Sequence, residues 1–150
     1  GGGADGYIVT FTIPPDGSSI TKVTHLEYDT SQGQYNSLVR VDDDTYALSY
    51  TGPGNDGFIK TFTIPADGSS ITEEFSLEHN TDYYTYNRLL KFDEDTYLLA
   101  FVGNGTHIKT FTIPADGASI TKVDSTQINN YGGNAVLRSL FKIDNNTVFY

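Results

Sequence analysis

The chain has 150 residues with no Cys, Met or Trp, and its 9 basic and 19 acidic residues give a formal charge of −10. The absence of cysteine excludes disulfides, cysteine zinc sites and thiol catalysis, and the negative charge repels phosphate backbones, so nucleic acid is not an expected partner. No apolar run reaches the length of a membrane span, and 11 Tyr and 9 Phe in a Gly-, Thr- and Asn-rich chain favour short strands joined by turns.

In chain order, the opening segment GGGADGYIVT leads into Phe11-Thr12-Ile13-Pro14. A chain that starts at Gly1 and has no Met is expected to be a processed product, a fragment or an engineered chain. The Phe-Thr-Ile-Pro anchor returns at Phe62–Pro65 and Phe111–Pro114, 51 and then 49 residues further on. A turn follows each anchor, reading PPDGSSIT, PADGSSIT and PADGASIT. Proline ends the strand, and Asp-Gly suits a turn that closes with a left-handed glycine. Next come YNSLVRVDDDTYALSY at 35–50, YNRLLKFDEDTYLLAF at 86–101 and the diverged LRSLFKIDNNTVFY at 137–150.

These landmarks divide residues 1–150 into one domain of three repeats, approximately 11–61, 62–110, and 111–150 joined to 1–10. The third repeat is therefore shared between the two ends of the sequence. In the second copy four strands are predicted at Asn87–Phe92, Thr96–Val102, Gly105–Ile113 and Ile120–Gln127. Tight links at Asp93-Glu94-Asp95, Gly103-Asn104-Gly105 and Pro114–Gly117 precede a longer one near Asn129–Asn134. Apart from Lys60, Phe58–Ile64 carries apolar or small residues on both faces, and Tyr46–Tyr50 alternates large with small. Both suit sheets covered on each side.

The predicted fold class is all-β, built of four-stranded antiparallel β-propeller blades, with a β-trefoil as the alternative because three repeats in this length also fit that fold. The stretch YNSLVRVDDDTYALSYTGPGNDGFIKTFTIPADGSSIT resembles tandem repeats of propeller-like proteins from environmental, often marine, microbes. The resemblance covers the whole chain and implies a repeat architecture without implying an activity. The Gln-x-Trp of ricin-type trefoils, the Asp-box of sialidase-type propellers and the Trp-Asp of WD40 repeats are absent.

Candidate ligand-binding residues sit where the innermost strands begin: Tyr35, Asn36 and Ser37, then Tyr86, Asn87 and Arg88, then Leu137, Arg138 and Ser139. Such positions ring the mouth of a propeller channel, and aromatic faces beside amide and guanidinium donors suit sugar or peptide recognition. The plainer reading makes them strand caps and inter-blade packing. Asp42–Asp44 and Asp93–Asp95 carry carboxylates that attract Ca²⁺, but they lack ligand-loop spacing and read as solvated hairpin turns, with Arg40, Lys91 and Lys142 balancing their charge. Tyr28, His79, Tyr83 and Tyr84 fall in linking loops and are expected to be exposed. His25, His79 and His107 occupy different repeat phases, so no metal site is expected. Asn104-Gly105-Thr106 and Asn145-Asn146-Thr147 have the form of glycosylation sequons.

No catalytic motif or cofactor signature is present, and carboxylates that recur in every copy read as structural, because an active site breaks the symmetry of its repeats. The expected function is a non-enzymatic extracellular or cell-surface structural or interaction module. It self-associates through its split blade, for instance as a six-bladed dimer, or belongs to a longer parent array. A lectin with one glycan site per repeat is the alternative, and a protein ligand is also compatible.

Overall fold

The structure, a computed structural model, describes residues 4–129 and 140–149. Strands β1 (Gly6–Thr12) and β2 (Thr21–Asp29) form a two-stranded antiparallel sheet. Strands β3 (Gln34–Arg40), β4 (Thr45–Thr51), β5 (Gly57–Thr63) and β6 (Thr72–Asn80) form a four-stranded antiparallel meander. A second meander joins β7 (Thr85–Lys91), β8 (Thr96–Gly103), β9 (Gly105–Thr112) and β10 (Thr121–Asn129), and β11 (Phe141–Lys142) pairs with β12 (Val148–Phe149). The all-β expectation holds among the described residues. The four strands of the second copy fall within about two residues of their predicted limits, as is usual at element ends.

The same local chemistry builds every copy. In each Pro-x-Asp-Gly turn the glycine N–H donates to the proline carbonyl, at 2.8 Å for Gly17, 2.7 Å for Gly68 and 2.9 Å for Gly117. All three glycines hold φ near +66°, a region costly for side-chain-bearing residues. Asp16, Asp67 and Asp116 each accept the backbone N–H two residues on, at 3.0 Å. Those bonds, first among the causes, hold the Asp16 and Asp67 carboxyls below the usual carboxylate range. The acidic hairpins are equally uniform: Val41, Phe92 and Ile143 each donate N–H to the threonine carbonyl across the turn at 2.8 Å.

The sheets stack face to face with one apolar layer between each pair. Tyr28 of β2 meets Leu48, Tyr50 and Phe62 of the first meander. Ala47 and Ile59, from the opposite face of that meander, meet Leu89, Tyr97, Leu99, Phe101 and Phe111 of the second. Leu98 and Ala100, on the second meander's other face, meet Leu140. Consecutive residues of β4, β5 and β8 thus enter different layers, so these strands are buried or half-buried along their whole length. Strand β6 is outermost and alternates between exposed and half-buried positions.

Candidate functional site

The predicted site residues of the first two copies lie together where β3 meets β7. Both strands carry a register shift there, between Gln34 and Ser37 and between Thr85 and Arg88. Within these bulges Tyr35 and Tyr86 adopt left-handed φ of 51° and 49°, which costs a tyrosine of order 1 kcal/mol. The bulges re-aim the two side chains, and the rings lie 4.8 Å apart between centroids, tilted by 54° and partly exposed. Arg88 is also exposed, and its guanidinium donates to the Asn87 carbonyl at 3.2 Å.

The other polar groups are used within the protein. Asn87 is 1% exposed; its carbonyl oxygen accepts the Ser49 hydroxyl at 2.5 Å and its amide donates to the Tyr35 carbonyl. Ser37 Oγ accepts the Leu89 N–H at 3.0 Å, which joins the two meanders. Asn36 Oδ1 accepts the Tyr28 hydroxyl at 2.8 Å, and its amide donates to the Gly33 carbonyl at 3.3 Å. Tyr35, Tyr86 and Arg88 are left as the groups facing outward. The third set, Leu137, Arg138 and Ser139, lies outside the described residues.

Asn87→Ala is expected to destabilise the chain by about 1–3 kcal/mol, because a buried hydroxyl and a carbonyl lose their partner together. Asn36 is exposed, so Asn36→Ala should cost under about 1 kcal/mol. Denaturant titration of the two variants measures the difference.

Several expectations need correction. Of the four aromatics expected to be exposed, only Tyr83 is, at 61%; Tyr28 is 4% and Tyr84 0% exposed. β2 and β6 run on into the predicted loops, and Tyr84 is drawn inward as its carbonyl accepts the Thr51 hydroxyl at 2.8 Å and its N–H donates to Asn55 at 2.9 Å. The Tyr84 hydroxyl is buried beside Ser49, and that burial pushes its pKa well up.

Charge balance at the acidic turns is also less uniform than the pattern suggested. Arg40 pairs with Asp43 at 2.8 Å, but both side chains are exposed, so the pair adds little stability. Lys91 instead reaches the preceding sheet, donating to the Val41 carbonyl at 2.5 Å, and Lys142 does the same at Phe92. The groove between stacked sheets offers a carbonyl at the end of each inner strand, and a lysine stem spans it while its ammonium stays hydrogen-bonded. No cluster of three acidic, His or Cys side chains among the described residues is placed to hold a metal ion.

His79 and His107 flank Phe101 at 5.9 and 5.1 Å, and His25 lies elsewhere, beside Tyr7. Both ring nitrogens of His79 are buried without a partner among the described residues, and burial, with Lys109 nearby, pushes its pKa down to about 3. Lys109 donates to the His79 carbonyl at 2.7 Å, and burial lowers its own pKa to about 8.

No family model and no curated protein matches the chain. Among solved structures it is similar to the crystal structure of Sqt1 from Saccharomyces cerevisiae, a WD40 β-propeller protein, with a TM-score of 0.53 and 12% identity. The match covers 83% of this chain and 31% of Sqt1, so the chain spans under a third of that protein's length. At this identity the likeness is one of fold alone.

Proposed function

We propose that the chain is a non-enzymatic interaction module of propeller blades that self-associates by completing its two half sheets with a second copy. The observation that carries this reading is a broken equivalence. Phe62 and Phe111 are 0% exposed, whereas Phe11, at the same repeat position in β1, is 53% exposed. Ile13 is 59% exposed against 8% for Ile64 and 0% for Ile113, and Ile143 is 62% exposed against 4% for Val41. Covering such side chains is worth about 1.5–3 kcal/mol each.

The half sheets are complementary in kind. β1–β2 corresponds to the outer pair of a meander and β11–β12 to the inner pair, and β1 leaves one strand edge unpaired, an open template for another strand. The likeness to Sqt1 supports blades over the trefoil alternative. Closed propellers use about four to eight blades, and two copies of these three repeats give six. The non-enzymatic part rests on carboxylates such as Asp16, Asp67 and Asp116, which bind their own turns identically in each copy.

Sedimentation and light scattering test the reading. A stable particle of twice 16.5 kDa is expected, and a monomer at all concentrations would overturn it. The lectin alternative would rest on the outward-facing Tyr35, Tyr86 and Arg88. Repeat-equivalent binding on a glycan array, lost on Tyr35→Ala and Tyr86→Ala, would favour it.

A further inference from the structure

The contacts between sheets inside the chain are periodic. Thr10 donates its hydroxyl to the Gly68 carbonyl at 2.8 Å, and Thr61 donates to the Gly117 carbonyl at 2.6 Å. In each case a threonine in the third strand of one repeat grips the Pro-x-Asp-Gly turn of the next. A Cβ placed on Gly68 or Gly117 would meet the Cβ of that threonine at 3.1 Å, whereas one on Gly17 would meet nothing within 4 Å among the described residues. Thr110, at the position of Thr10 and Thr61, is half-buried, and its hydroxyl meets no acceptor among the described residues. Among the described residues one free grip and one free turn therefore remain, at opposite ends of the stack.

Leucines repeat the pattern. Leu89 and Leu140 each pack on the preceding sheet and are 5% and 8% exposed, while Leu38 at the same position is 50% exposed. Leu38 instead lines an apolar groove beside β1, together with Tyr7, Val9, Tyr28, Asn36 and Leu48. That groove lies where a sheet of inner strands would stand if β1–β2 belonged to a complete meander.

Resting on the self-association proposed above, the geometry points to one seat: β11–β12 of a second copy fills the groove over Leu38, its β12 pairs antiparallel with β1, and Thr110 of that copy grips the Gly17 turn. The register follows from the internal pairs. Thr45 stands opposite Thr63 and Thr96 opposite Thr112, with Tyr46 opposite Phe62 and Tyr97 opposite Phe111. By repetition Thr147 stands opposite Thr12 of the other copy, and Val148 opposite its Phe11. The Ile64 N–H donates to the Asp44 carbonyl at 2.7 Å and the Ile113 N–H to the Asp95 carbonyl at 2.9 Å, which makes the threonine pairs non-hydrogen-bonded, the closest cross-strand geometry. Thr147 and Thr12 are both exposed in the single chain, whereas Thr45 is 2% exposed.

These 150 residues contain no cysteine, so the register can be read by cross-linking. Thr12→Cys combined with Thr147→Cys is expected to oxidise to a covalent dimer, because non-hydrogen-bonded partners meet disulfide geometry. Thr12→Cys with Asn146→Cys, shifted by one residue and so facing the opposite side, should not. A disulfide within a single chain would overturn the second copy as occupant. A dimer by light scattering that cross-links through the shifted pair, or through neither, would overturn the register and leave self-association standing. A monomer by light scattering would overturn both. Thr110→Val keeps the shape and removes the grip, and should weaken association about tenfold, the equivalent of one hydrogen bond, with unfolding of the dilute chain unchanged. Unaltered association would remove Thr110 from the seat.

Discussion

Phe62→Ala and Phe111→Ala are each expected to destabilise the chain by about 3–5 kcal/mol, while Phe11→Ala should leave the stability of the dilute chain within about 0.5 kcal/mol. All three phenylalanines open the same Phe-Thr-Ile-Pro anchor, so propensity and neighbouring sequence are held nearly constant. What differs is the sheet in front of each ring. Phe62 packs in the layer with Tyr28, Leu48 and Tyr50, and Phe111 in the layer with Leu99 and Phe101. Truncating either ring leaves a cavity walled by side chains of hydrogen-bonded sheets, which relax only partly to fill it. Phe11 is half open to water, so its truncation forfeits little in the single chain. Urea titration at a concentration below assembly gives the three values. If Phe11→Ala cost as much as Phe62→Ala, Phe11 would already sit in a closed layer and the self-association reading would lose its main support. At assembling concentrations the order should change, with Phe11→Ala lowering the dimer fraction sharply.

That contrast also marks where sequence reasoning succeeded. The repeat was legible because its turns are chemically explicit: proline stops β1, β5 and β9, and the glycine of each Pro-x-Asp-Gly turn takes the positive φ that few other residues tolerate. The doubly covered strands were legible in Phe58–Ile64, where Lys60 is the one charged residue, and Ile59 and Phe62 indeed enter different layers. The candidate site was legible in position but not in chemistry. Repeat phase brought Tyr35, Tyr86 and Asn87 to one seam, yet no glycine announced the left-handed bulge that the two tyrosines occupy. Nor could residue type say that Asn87 and Ser37 would spend their polar atoms on the neighbouring strand, since that depends on how the two meanders are offset. Tyr28 and Tyr84 fall in the expected linking loops, but β2 runs on through Tyr28, and backbone bonds to Thr51 and Asn55 hold Tyr84 inside.

Lowering the pH from 6.5 to 4.5 is expected to remove about 2–3 kcal/mol of stability through His79 alone, and His79→Phe should abolish that loss. The imidazole packs edge-on against Tyr84 at 5.1 Å and Phe111 at 5.5 Å, with its nitrogens shut away from water. Protonating it there would strand a cation beside the ammonium of Lys109, with Lys122 adding a smaller repulsion. Burial and these charges together depress its pKa from 6.5 to about 3. In the unfolded chain the same histidine titrates at its ordinary value. Between those two values the unfolded state binds a proton that the folded state refuses, so the contribution is whole above pH 6.5 and declines by at most about 1.4 kcal/mol per pH unit on acidification. Asp29, whose carboxyl is also lowered, begins to act only below the ordinary carboxylate range, which leaves the upper part of the window to His79. Tyr28 holds the equivalent position of the first copy and gives its hydroxyl to Asn36, so a ring is accommodated there and phenylalanine should pack without strain. Denaturant midpoints at pH 7, 5.5 and 4.5 for the parent and His79→Phe decide the matter. Parallel losses in the two proteins would mean that His79 is hydrated in solution and that the acid response comes from elsewhere. A flat profile in the variant would place the molecule's acid sensitivity in one buried ring between the two meanders.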